Sequence, residues 1–142
     1  MGWINWPTGF TKEVEREQNR RLRAVALQAL TSIIERSPVG DPSQWKRPSS
    51  APPGYIGGTF RGNNSVSVAA PDMSYNESIT DKTGQRALAR GSVVIGSVRE
   101  PFAAIYVQNN LPYAEAIENG HSGQAPQGVY AVTFDSIKAA LK

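Results

Sequence analysis

Apolar residues recur at three- and four-residue steps early in the chain: Leu22, Val25, Ala26, Ala29, Leu30, Ile33 and Ile34. That spacing marks one buried face of an amphipathic helix. A helix is predicted over Thr11–Arg36, with Thr11 as N-cap and Glu13 and Glu15 favouring the first turn electrostatically. Pro38 ends it. The period then changes to two: Val66, Val68 and Ala70 alternate with Ser65, Ser67 and Ala69, which predicts a half-buried strand over Asn64–Ala70. Pro71–Asn76 reads as a turn. Glu77–Val98 fits two templates. Ile79, Ala87, Val94 and Val98 can form a helical face with Gly91 at a close-packed spot, while Val93-Val94-Ile95 suits a short buried strand. Phe102–Gln108 predicts a strand and Val129–Phe134 another, with Asp135 capping a short final helix through Leu141.

The connecting stretches carry most of the turn chemistry. Ser37–Asn63 holds Pro42, Pro48, Pro52 and Pro53 together with Gly54, Gly57 and Gly58. A connection of this length in a compact domain is usually functional or disordered, and Trp45 and Tyr55 argue against pure disorder. The expectation is an assembly arm over 38–63, extended in the free protein and ordered by neighbours, with Lys46 and Arg47 beside Trp45 as contacts. Met1–Phe10 carries Trp3, Trp6 and Phe10, and its proline and glycines argue against a long helix there. Either these aromatics bind a partner or they fold back on the core. In Asn109–Gly128, Pro112 is suited to open a short helix on which Tyr113, Ala114 and Ile117 share a face. Gly120 stops it and His121–Gln127 is a polar loop. The fold class that follows is α+β: a long N-terminal helix packed on a small mixed or antiparallel sheet, with a long extended loop and short C-terminal helices. The expected organisation is an aromatic extension at 1–10 and a single domain at 11–142.

At 142 residues one domain is expected. A chain of that size buries roughly 68–70% of its unfolded surface. No stretch approaches the length of apolar sequence that a membrane helix requires, so no membrane partner is expected. The first residues, MGWINWPTGF, lack the basic start and apolar run of a signal peptide. The net charge of +3 is uneven: nine Lys/Arg face five Asp/Glu through Asn63, and six face seven from Asn64 onward. The excess lies in the first helix, where Arg20, Arg21 and Arg23 cluster, and in the loop after it. Such a bias suits an acidic protein surface or passing DNA, but falls short of a dense basic stripe. The blander account is a solvated helix face with local pairs to Glu15 and Glu17.

Catalytic constellations are not recognisable. The chain has no cysteine, hence no disulfide and no thiolate chemistry. His121 is the single histidine, and its neighbour Ser122 has no nucleophile elbow around it. Glu115 and Glu118 are neighbours on one helical turn, whereas a hydrolytic pair flanks its substrate from two sides. The glycines at 54–62 lack the lysine and hydroxyl of a phosphate loop. No catalytic, metal or cofactor site is predicted.

Two separated blocks carry a resemblance. The first is Ser37-Pro38-Val39-Gly40-Asp41-Pro42, Trp45, Gly54-Tyr55, Gly57-Gly58, Arg61 and Asn63. The second is Asn109, Pro112-Tyr113-Ala114, Glu118, Gly120, Ser122, Gln124-Ala125-Pro126 and Gly128. Together they resemble the tail-completion or neck proteins of long-tailed bacteriophages, the lambda-like tail-completion protein among them. Members of that family often carry a tryptophan where this chain has Asn64. The resemblance implies a helix within 77–98 and a structural role in the virion neck, with assembly in the host cytoplasm. It also implies a homo-oligomeric ring, six copies favoured over twelve, that meets the tail terminator and tube on one side and head-closure or connector proteins on the other. DNA would pass the lumen without sequence recognition. The residues expected to contact copies or partners are Trp3, Trp6, Arg20, Arg21, Arg23, Trp45, Lys46, Arg47, Tyr55, Arg61 and Glu118. The competing expectation is a nucleic-acid-binding module using the basic helix and arm.

Overall fold

The structure is a computed structural model and describes residues 8–100 and 102–141. Trp3 and Trp6 therefore lie outside the described residues. The helix α1 runs Thr8–Arg36, starting three residues before the predicted cap, so Thr11 is an interior position and Phe10 an exposed helical one. After two single 3-10 turns at Pro42–Gln44 and Pro48–Ser50, a one-turn helix α2 (Thr59–Gly62) leads into strand β1 (Ser65–Val68). Helix α3 (Gln85–Gly96), strand β2 (Ile105–Gln108), the short helix α4 (Ala114–Glu118) and helix α5 (Tyr130–Ala140) complete the chain. The fold is thus α+β, with β1 and β2 forming a two-stranded antiparallel sheet in the register Ser65 to Gln108 through Val68 to Ile105.

The helical face of α1 read from the sequence is the face that packs. Ala26, Leu30 and Ile34 join Ala87 and Ile95 of α3 in one apolar cluster, closed by Val66, Leu88, Ile105 and Val107. The adjacent Ile33 points to a second cluster with Phe60, Leu111, Ala125 and Val129, closed by Ala114, Ile117, Tyr130 and again Val107. Helix α1 therefore divides its apolar face between α3 and the C-terminal elements, and Val107 belongs to both clusters. At Gly91 the α1–α3 contact is tight: a methyl group there would run into Leu30 and Val66. Gly91 occupies the close-packed spot that the helical reading of 77–98 assigned to it.

Three predicted elements differ. The ambiguous stretch is a helix, but only from Gln85. Ahead of it the buried Asp81 carboxylate accepts the N–H groups of Gly84 (3.2 Å) and Ala87 (2.9 Å), capping α3 from outside. Pro112 precedes α4 rather than opening it, while Gly120, at φ +86, terminates it as expected. The predicted last strand, Val129–Phe134, is the start of α5, and Asp135 lies inside that helix instead of capping it. Its β-branched and aromatic residues favour a strand locally. A carboxylate from α4 overrides that preference by holding the first turn of α5. Among the described residues, no helix is long and apolar enough to cross a membrane.

Candidate functional site

The two sequence blocks of the resemblance meet in space, and a buried polar hub lies where they meet. Its centre is Asn64, fully buried at the start of β1. The Asn64 amide donates to Ser37 Oγ (2.8 Å) and to the Arg61 carbonyl (3.1 Å). Its Oδ1 accepts from the Tyr130 hydroxyl (2.6 Å) and from the Asn109 amide (3.2 Å). Asn109 also donates to the Phe60 carbonyl (2.8 Å), and Ser37 Oγ donates to the Ile33 carbonyl (2.6 Å). One side chain thus ties the end of α1, the return through α2, the exit of β2 and the first turn of α5. Buried polar groups are tolerable when every member finds a partner, and the Asn64 side chain does. Burial, with the Glu118 charge adding to it, raises the Tyr130 hydroxyl far above its ordinary pKa, so it stays a donor to Asn64.

Beside the hub, Glu118 holds the N-terminus of α5. Its Oε2 accepts from Val129 N and Tyr130 N (both 2.9 Å), and Oε1 accepts from Ala131 N (2.8 Å). Burial alone would raise this carboxyl. The three backbone N–H bonds together outweigh burial and hold its pKa below the ordinary carboxylate value. At Gly128 a methyl group would lie 2.5 Å from the Glu118 carbonyl, so the chain turns into α5 only with glycine there. Glu118, expected to contact a copy or partner, has its carboxylate engaged within its own chain. Glu115 is exposed. His121 is also exposed, and its backbone N–H closes the turn after α4 on the Ala116 carbonyl (3.1 Å).

The stretch expected to be an extended arm is a closed loop. Its feet are clasped by Gly58 N–H on the Val39 carbonyl (2.5 Å), and Gln124 Oε1 accepts the N–H of Val39 (3.0 Å) from the C-terminal block. Within the loop, Trp45 packs edge-on against Tyr55, with centroids 5.2 Å apart, and Tyr55 folds over Gly40. Lys46 and Arg47 stand exposed at the tip. Tyr113 lies against Phe60, at 6.5 Å between centroids. Partial burial, then Tyr55 and Glu77, push its hydroxyl up to about 12. Residues 59–63 are not arm at all: Phe60 is core, and Arg61 turns inward. The Arg61 guanidinium donates to the Ser37 carbonyl (3.1 and 2.7 Å) and the Lys82 carbonyl (2.7 Å), locking the loop's return to the end of α1. Expected to contact a partner, Arg61 has this internal role within the single chain.

On α1, Arg20 and Arg21 both pair with Glu17, as the solvated-face account expects, and these exposed pairs add little to stability. Arg23 differs. Its guanidinium reaches the Val98 carbonyl (2.8 Å) beyond the end of α3 and lines an open groove with Lys12, Arg16, Asn19 and Arg99. Lys12, Arg16, Asn19 and Arg99 were not singled out in the sequence. The signal available was the helical spacing of Lys12, Arg16, Asn19 and Arg23, but Arg99 comes from another element. Neither a protein-family model, nor a curated protein, nor a solved structure matches this chain.

Proposed function

We propose that this protein is an architectural part of a long-tailed bacteriophage or tail-like particle. In this reading it sits at the neck as a homo-oligomeric ring, completing the tail and meeting the head connector. The observation that carries the reading is the convergence of the two sequence blocks. Gln124 of the second block holds Val39 of the first, Asn109 of the second reaches the Phe60 carbonyl next to Arg61, and Arg61 and Ser37, both of the first, hold each other, so residues that carry the likeness help to shape one corner. They serve scaffolding, and they leave the Trp45–Tyr55 loop, with Lys46 and Arg47, presented at the surface. A closed loop fixed at its feet offers a neighbour a defined contact while its tip keeps some freedom to adapt.

The test is the mass of the purified protein, alone and mixed with tail tubes. Discrete assemblies of six or twelve copies, or capture on tube ends, are expected. A chain that stays monomeric and ignores tubes overturns the reading. A nucleic-acid-binding module is the second reading, favoured by the groove in which Arg99 joins the cations of α1. Duplex binding by the monomer that falls steeply with salt would promote it.

A further inference from the structure

We infer that the groove between the N-terminal half of α1 and the end of α3 receives the 71–78 loop of a second copy of this chain. The inference rests on the ring reading above and names the contact that would build it. The groove is about 470 Å³ and is lined by Lys12, Arg16, Arg23 and Arg99 with one carboxylate, Glu15, while Arg16 is also paired with Glu13 at 3.0 Å. Two of its cations are held in place: Arg23 on the Val98 carbonyl, and Arg99 on the carbonyls of Gly96 (2.5 Å) and Val98 (3.0 Å). Asn19 also lines it, nine-tenths buried. Its amide donates to the Arg99 carbonyl (2.8 Å), while its Oδ1 has no hydrogen-bond partner among the described residues.

The occupant has matching chemistry. Residues 69–78 form the longest run of exposed positions among the described residues, and 71–78 contains Asp72 and Glu77 with no lysine or arginine. Met73 and Tyr75 stand out from it, 71% and 51% exposed. Yet the run is not loose. The Asn63 side chain exchanges two hydrogen bonds with the Asn76 backbone, at 2.9 and 2.8 Å. Asn110 donates to the Asp72 and Ser74 carbonyls (2.6 and 3.0 Å), and Gln108 Oε1 accepts from Asp72 N (3.1 Å). Three amides from elsewhere in the fold therefore pre-shape an exposed acidic knob, which lowers the ordering cost of docking. The same bonds fasten the knob to its own β1–β2 end, so the groove is filled by another copy's knob. Knob and groove share no residue, so the contact can run head-to-tail, the kind that closes into a ring when its rotation allows. A phosphodiester backbone is the poorer occupant. It brings acceptors only, whereas a peptide loop brings carboxylates for the arginines together with N–H donors for Glu15.

Charge reversal with rescue tests this, read by sedimentation velocity across a concentration series. Lys12→Glu/Arg16→Glu alters the groove, and Asp72→Lys/Glu77→Lys alters the knob. Each pair alone is expected to weaken self-association by about tenfold or more, and the four together to restore it to within about threefold. Arg20→Glu/Arg21→Glu, an equal charge change on α1 outside the groove, should leave association within about threefold. Should the knob pair melt the fold, Glu77→Lys with Lys12→Glu is the milder combination. If wild type assembles and the groove pair assembles equally well, this contact falls while the ring reading survives. If wild type never associates, both fall. Loss of duplex binding without loss of association in the groove pair overturns the inference in favour of nucleic acid.

Discussion

The corner around Asn64 and the loop at 42–56 treat polar groups in opposite ways. At the corner, side chains reach across long sequence separations: Asn64 to Tyr130, Glu118 to Ala131, Arg61 to Ser37. In the loop, hydrogen bonds close short turns on themselves, as with Trp45 N–H on the Pro42 carbonyl (3.1 Å) and Tyr55 N–H on the Pro52 carbonyl (3.1 Å). The first region makes folding cooperative. The second can open or be exchanged without pulling on the core, which is the property expected of a contact surface.

That contrast is broken most severely at Asn64. Asn64→Ala strips partners from Ser37, Asn109 and Tyr130 in a buried site, and a loss of about 3 kcal/mol in urea unfolding is expected. Glu118→Ala follows, at about 2 kcal/mol, because the first turn of α5 loses its cap. The same group sets a pH dependence. Its folded pKa is depressed, so its contribution is complete above the ordinary carboxylate pKa and disappears as pH falls through the lowered folded value. In a pH series of thermal melts, the variant should show a shallower acid limb than wild type. Tyr130→Phe leaves Asn64 Oδ1 with Asn109 alone and should cost about 1 kcal/mol by the same unfolding assay. Replacing 46–54 with a Gly/Ser segment of equal length should change stability by under about 0.5 kcal/mol yet abolish assembly measured by mass. A large loss of stability from that replacement would erase the distinction between the two regions.

The sequence revealed what local pattern controls. The apolar face of α1 was legible because all seven predicted positions are buried or half-buried in one 3.6-residue register. The alternation at Val66 and Val68 located β1. What stayed hidden depends on groups far apart in the chain. No local rule tells that Glu118 caps a helix eleven residues on, so Val129–Phe134 read as a strand. Asp81 lay nearer, three residues before Gly84, and could have been recognised as a capping carboxylate. Arg61 and Glu118 looked like surface contacts because charge usually signals exposure, whereas here both satisfy backbone groups at joints of the fold. The basic groove was invisible because Arg99 and Asn19 come together only through the packing of α3 on α1.

The clasp between Val39 and Gly58 has a consequence for how such a part can diversify. With both ends of the excursion pinned side by side, doubling the chain between them costs only about 0.6 kcal/mol of closure entropy. Insertions, deletions or a grafted tag at 46–54 should therefore be absorbed by the same chassis, so the reach of the excursion can change while the core sequence stays as it is.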